Sequence, residues 1–183
     1  MKKLMVLILL ILVFSGGCVK NQGEHLSDDG EFALAQFCCG SGDQVSYQIP
    51  NAWWGKSAAE LTEALHLSES TVEGDQYIFR GIERTYRGKV YQVQTIYEFH
   101  EDLFSAVSFS YTVETRAEFD QLAEQLREDF QNLPYDQTLP NGYIQEKELS
   151  YKIGSDGSNI GIAVFSDTFT VRIYLMAASP QLG

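Results

Sequence analysis

Three cysteines, three histidines and two adjacent tryptophans are the side chains with most chemistry to offer in this 183-residue chain. Cys38 and Cys39 are neighbours, and neighbouring residues do not easily reach ordinary disulfide geometry. They read as two small buried or half-buried thiols, with an intermolecular bridge as the lesser alternative. No Cys-x-x-Cys occurs and His25, His66 and His100 are scattered, so no metal site is expected. Glu101 with Asp102, and Glu146 with Glu148, are the carboxylate pairs available for acid–base work, but every acidic sheet protein offers such pairs, and Glu101 and Asp102 read first as solvated turn residues. The chain has no Gly-x-Ser-x-Gly, no Walker lysine loop, no His-Glu-x-x-His and no glycine-rich strand-to-helix fingerprint. Gly40-Ser41-Gly42 lacks the flanks of a nucleophile elbow. A non-catalytic protein without a cofactor is the favoured reading. Trp53 and Trp54 are the candidate partner-binding residues, because two adjacent indoles do not easily both face a core and tryptophan is enriched at binding hot spots.

Cys18 differs because of what precedes it. Met1-Lys2-Lys3 is basic, Leu4 to Phe14 is apolar without a charge or glycine, and Ser15-Gly16-Gly17 follows. Basic start, apolar run and small residues together make a secretory signal. As a helix, that run would extend roughly 17 Å, short of the roughly 30 Å hydrocarbon core of a bilayer. Phe14-Ser15-Gly16-Gly17-Cys18 resembles the lipobox of bacterial lipoproteins, although Ser15 stands where that family more often has leucine. The resemblance implies cleavage between Gly17 and Cys18, transfer of diacylglycerol to the Cys18 sulfur, and often a further palmitate-type acylation of the new amino group. It places the protein outside the cytosol, anchored to the cell membrane or outer membrane. Val19 is not the aspartate that marks inner-membrane retention in enteric bacteria. Each buried methylene contributes about 0.8 kcal/mol and stable anchoring takes two signals, which a diacylglyceryl group provides.

Cleavage there would leave 166 of the 183 residues, enough for one domain with a sizeable core. Without Lys2 and Lys3, 11 basic residues face 25 acidic ones, a formal charge of −14. Such a surface disfavours nucleic acid, whose binding rests on Lys and Arg neutralising phosphates, and stands off anionic lipid heads. The organisation expected is a signal peptide over 1–17, a lipidated cysteine and flexible tether over 18–31, and a single globular domain over 32–183. Asp28-Asp29-Gly30 within the tether offers too few ligands for calcium.

The domain's elements follow from periodicity. Ser57 to Glu60 is a capping box opening a helix with Leu61, Ala64 and Leu65 on its apolar face, and His66 near its C-terminus. Thr115 to Glu118 repeats the pattern before a longer helix lined by Phe119, Leu122, Ala123, Leu126 and Phe130, ended near Pro134. Period-two segments are expected at 76–86, 89–99 and 103–113, and again at 143–153, 159–165 and 168–177. Helix–strand–strand–strand thus occurs twice, with the capping boxes 58 residues apart, as a duplicated α-β-β-β unit would give. The expected fold is α+β: two amphipathic helices on one face of a mostly antiparallel sheet of about six strands. The opposite face, carrying Gln92, Gln94, Glu98, Ser108, Ser110 and Thr112, reads as polar.

Element order and the Gly55, Ser57, Glu60, Leu61 helix opening are similar to β-lactamase-inhibitor-like domains and the small lipoproteins of outer-membrane assembly. No functional residue carries across from that likeness. The function expected is a membrane-anchored extracytoplasmic lipoprotein binding another envelope protein or a cell-wall component. The alternatives are an extracytoplasmic hydrolase of unrecognised type, or a small-ligand carrier with an apolar cavity between helices and sheet.

Overall fold

Two long strands with alternating burial set the centre of the molecule. In the computed structural model, which describes residues 31–41, 44–50, 52, 54–66 and 71–178, β5 (Lys89–His100) and β6 (Leu103–Thr112) pair antiparallel. Tyr91, Val93, Tyr97, Phe99, Phe104, Val107, Phe109 and Tyr111 point to one side and are buried. The turn into β5 has positive φ at Arg87 and Gly88 (47° and 76°), and the turn out has it at Glu101 and Asp102 (51° and 63°). Two-residue turns of this primed kind match the twist of the strands they join.

Before this pair come a hairpin of β1 (Cys38–Ser41) and β2 (Gln44–Tyr47), helix α1 (Ala58–Leu65), β3 (Thr71–Glu73) and β4 (Gln76–Tyr86). After it come α2 (Arg116–Gln131), β7 (Tyr143–Glu146), β8 (Leu149–Ile153), β9 (Asn159–Phe165) and β10 (Thr170–Met176). The large sheet is antiparallel throughout and has eight strands in the order β3-β4-β5-β6-β10-β9-β8-β7; β1 and β2 stand apart as a two-stranded sheet. This corrects the expected six. One strand read at 143–153 is two, turned at Lys147 with φ of 45°, and β3 is too short and exposed to show a period. Each helix therefore precedes a four-strand meander, and the two meanders meet where β6 pairs with β10.

The first predicted capping box forms in full and the second by its side-chain half. Ser57 Oγ accepts from the Glu60 amide, and the Ser57 amide donates back to Glu60 Oε2 at 2.9 Å. Thr115 Oγ1 accepts from the Glu118 amide, while the Glu118 carboxylate takes Lys89 Nζ at 2.6 Å. α1 closes on His66 in the left-handed region. The end of α2 has no basic residue of its own, and Lys152 of β8 supplies one. Its Nζ donates to the carbonyls of Gln131 and Leu133, between the rings of Phe130 and Tyr135. Arg87 Nη2 grips Asp129 and Glu128 at 2.6 and 3.0 Å, and Tyr86 Oη donates to Asp129 at 2.6 Å, so the β4–β5 turn holds the same helix.

Leu61 of α1, the apolar stripe of α2 and the inward residues of β5, β6, β9 and β10 belong to one buried cluster. Residues ahead of α1 fill it. A 3-10 turn, Leu34–Phe37, follows Phe32, whose ring meets Phe37, Tyr86, Phe109 and Tyr111 edge-on; Phe37 stacks on Phe109 at 5.5 Å. Val45, Tyr47 and Ile49 are also buried. The β1–β2 hairpin is pinned to the β8–β9 loop, where Ser155 Oγ donates to the Val45 carbonyl and the Tyr47 amide donates to Ser158 Oγ. Glu31, the first described residue, already pairs through its backbone with Thr85. The expected signal peptide, Cys18 and the rest of the tether lie outside the described residues.

Candidate functional site

Strand alternation that sends one set of side chains into the helix layer sends the other set to the sheet's second face. Register then decides which of these become neighbours. Ile78 of β4 stands opposite Ile96 of β5, Ile96 opposite Ser108 of β6, and Ser108 opposite Tyr174 of β10. Tyr174 in turn stands opposite Gly161 of β9, and Gly161 opposite Tyr151 of β8. One row of six strands therefore carries two isoleucines and two tyrosines on a face that no helix covers. The expectation of a polar second face holds for Gln92, Gln94, Ser110 and Thr112 but not for this row.

Over the part of this face beyond Ile78 and Ile96 the sheet holds an open groove of about 970 Å³. Ala106, Ser108 and Ala163 form a low floor, and Tyr151, Phe165, Tyr174 and Met176 rise around it half-buried. Small residues on β6 and β9 beside large ones on β8 and β10 are what make a depression rather than a flat sheet. Tyr151 lies over Gly161: a β-carbon at Gly161 would come within 2.6 Å of the ring. Burial and the neighbouring Tyr174 and Glu146 raise the Tyr151 pKa, keeping it a neutral hydroxyl. Glu98 stands at the β5 end of the groove, and Glu146, Lys147 and Glu148 stand on the β7–β8 turn at the other. Next to the groove Arg172 donates from Nε to Ser110 Oγ at 2.7 Å, with its guanidinium 5.6 Å from the Phe165 ring centre and 5.8 Å from that of Tyr174.

The residues singled out from sequence fall elsewhere. Trp54 is half-buried on the helix side; its indole nitrogen donates to the Tyr47 carbonyl at 2.8 Å and its ring packs on Phe104 at 4.9 Å. That is a tie between the hairpin and β6. Trp53 and Cys18 lie outside the described residues. Cys38 is a free thiol whose pKa is raised by burial, and Cys39 Sγ accepts from Gln48 Nε2 at 3.1 Å. Glu101 and Asp102 form the exposed β5–β6 turn. Glu146 and Glu148 are the pair that reaches the groove. Among the described residues no group of three His, Cys, Asp or Glu could hold a metal ion, and no helix is long and apolar enough to cross a membrane.

The groove was signalled in sequence only by halves. Leu149, Tyr151 and Ile153 share one parity, as do Arg172, Tyr174 and Met176, but their meeting depends on the β6–β10 and β9–β10 pairings. No family model matches the sequence, and no curated protein or solved structure matches it.

Proposed function

We propose that this chain is a lipid-anchored extracytoplasmic protein whose eight-stranded sheet holds a partner polypeptide in its open groove, without catalysis. The observation that carries the binding part is the half-buried wall of Tyr151, Phe165, Tyr174 and Met176 around a groove on the side away from both helices. Exposed apolar surface in a concave setting is where association gains most, because water leaves it readily. The repeat of one helix and four strands is read as a duplicated unit, with the groove straddling the seam between its halves. Glu98 lies four strand spacings from β8, roughly 19 Å at 4.8 Å each, too far from Glu146 and Glu148 for the carboxylate pairs of glycoside-type acid–base chemistry. The helix–sheet interface, where a carrier's cavity was expected, is occupied by the buried aromatic cluster.

The anchor rests on Phe14 to Cys18 alone. Intact-mass analysis of protein from membranes of its native host should find the chain beginning at Cys18 with a diacylglyceryl group on it. Recovery of Cys18 unmodified would contradict the anchor. The docking part is tested by placing a photo-crosslinking residue at Tyr174 or at Glu124 on the outer side of α2. Tyr174 should give a discrete adduct in living cells and Glu124 none; equal adducts at both would remove the reading.

A further inference from the structure

The groove has a charge pattern as well as a shape. Its middle is apolar, while carboxylates stand at both ends: Glu98 on β5, and Glu146 and Glu148 on the β7–β8 turn. Lys147 is the one cation of the lining, and Arg172 beside it is turned onto Phe165, Tyr174 and Ser110. Three negative charges to one positive favour a cationic occupant. They oppose nucleic acid, anionic lipid heads and acidic wall polymers, all of which would bring negative charge to Glu98, Glu146 and Glu148.

Spacing narrows the occupant further. The ends are four strand spacings apart, roughly 19 Å, and Glu98 is level with Ile153 of β8, five positions or roughly 17 Å along the strand from Glu148. An extended chain at about 3.3 Å per residue covers that diagonal of about 25 Å in about eight residues. Building on the docking reading above, we infer that the groove takes an extended polypeptide segment with apolar or aromatic side chains in its middle and a Lys or Arg at each end, about eight positions apart. The central side chains enter between Tyr151, Tyr174 and Met176. The flanking cations meet Glu98 on one side and Glu146 with Glu148 on the other.

The test uses dye-labelled nine-residue peptides and the full mature protein in detergent, read by fluorescence anisotropy at low salt. The probe is Lys-Ser-Leu-Ser-Phe-Ser-Leu-Ser-Lys; one comparison peptide has Glu at both ends, another has Ser for Leu and Phe. The lysine peptide should bind at least tenfold tighter than either. Neutralising Glu98→Gln, Glu146→Gln and Glu148→Gln together should weaken it about tenfold, about 1.4 kcal/mol, since the loss of all three exposed charge pairs is summed. Neutralising Glu63→Gln, Asp120→Asn and Glu124→Gln, on the helices, should leave it unchanged. Should the groove triple variant melt earlier than the parent, the single variants replace it. Equal binding of the glutamate peptide, equal loss in the helix variant, or no binding to folded protein each overturns the inference. A Tyr174 crosslink without peptide binding would leave the docking reading standing and remove only this chemistry.

Discussion

Tyr151 lies across Gly161 on the open face, close enough that a β-carbon there would sit 2.6 Å from Cδ1 and 2.8 Å from Cε1. Glycine is what lets the ring lie down and become part of the groove wall. Gly161→Ala should therefore lift the ring toward solvent. Overpacking costs typically 1–3 kcal/mol, and a half-exposed ring with room to move puts this case at about 1 kcal/mol, a few degrees in Tm. In a Tyr151→Ala background the same change should cost nothing measurable. Urea denaturation of the four proteins of that cycle checks it, and additive effects would contradict the contact.

Lys152 gives the fold a pH dependence. Burial lowers its pKa from 10.5 to about 8. Below pH 8 the ammonium is charged in both states; between about 8 and 10.5 the unfolded chain holds a proton that the folded one has released. Stability should thus rise with pH across that window. The neutral amine still has two N–H groups for the carbonyls of Gln131 and Leu133. Burial raises the pKa of Tyr47, Tyr86 and Tyr111 above 10, with Asp129 adding to it at Tyr86. Their contribution is complete below pH 10 and is lost as pH climbs past it, so the rise should turn over there. Denaturation midpoints at pH 7, 9.5 and 11 should trace this curve, and Lys152→Met should flatten its first limb.

Phe32 shows that the segment ahead of α1 belongs to the core. It is 3% exposed and touches four other rings, and its amide donates to the Thr85 carbonyl at 2.6 Å. Truncating a buried phenylalanine typically costs about 3–5 kcal/mol. Phe32→Ala should approach that loss in urea denaturation, whereas Ala33→Ser, at an exposed neighbour, should leave stability unchanged.

What could be read without coordinates was whatever is local. Capping boxes at Ser57 and Thr115, the Arg87-Gly88 turn and the alternation of β5 and β6 all depend on residues within a few positions of one another. The split of 143–153 into β7 and β8 was missed because Lys147-Glu148 carries no glycine or proline to announce a turn. β3 was missed because none of its three residues is buried. Lys152 is only 3% exposed, since the helix end it caps arrives from 21 positions earlier, and no local pattern signals that. The groove was the least legible feature. Its walls come from strands as distant as β5 and β10, and pairing over such separations leaves no mark on local pattern. Trp53-Trp54 drew attention by residue type, and Trp54 proves to be a strut.

The most direct measurement is the affinity of the purified protein for the partner recovered through the Tyr174 crosslink, compared between the parent, Tyr174→Ala and Glu124→Ala. Central aromatic residues of an interface typically carry 2 kcal/mol or more. Tyr174→Ala should therefore weaken binding by at least tenfold while Glu124→Ala leaves it unchanged. Equal affinity of all three proteins would contradict a partner held in the open face of the sheet.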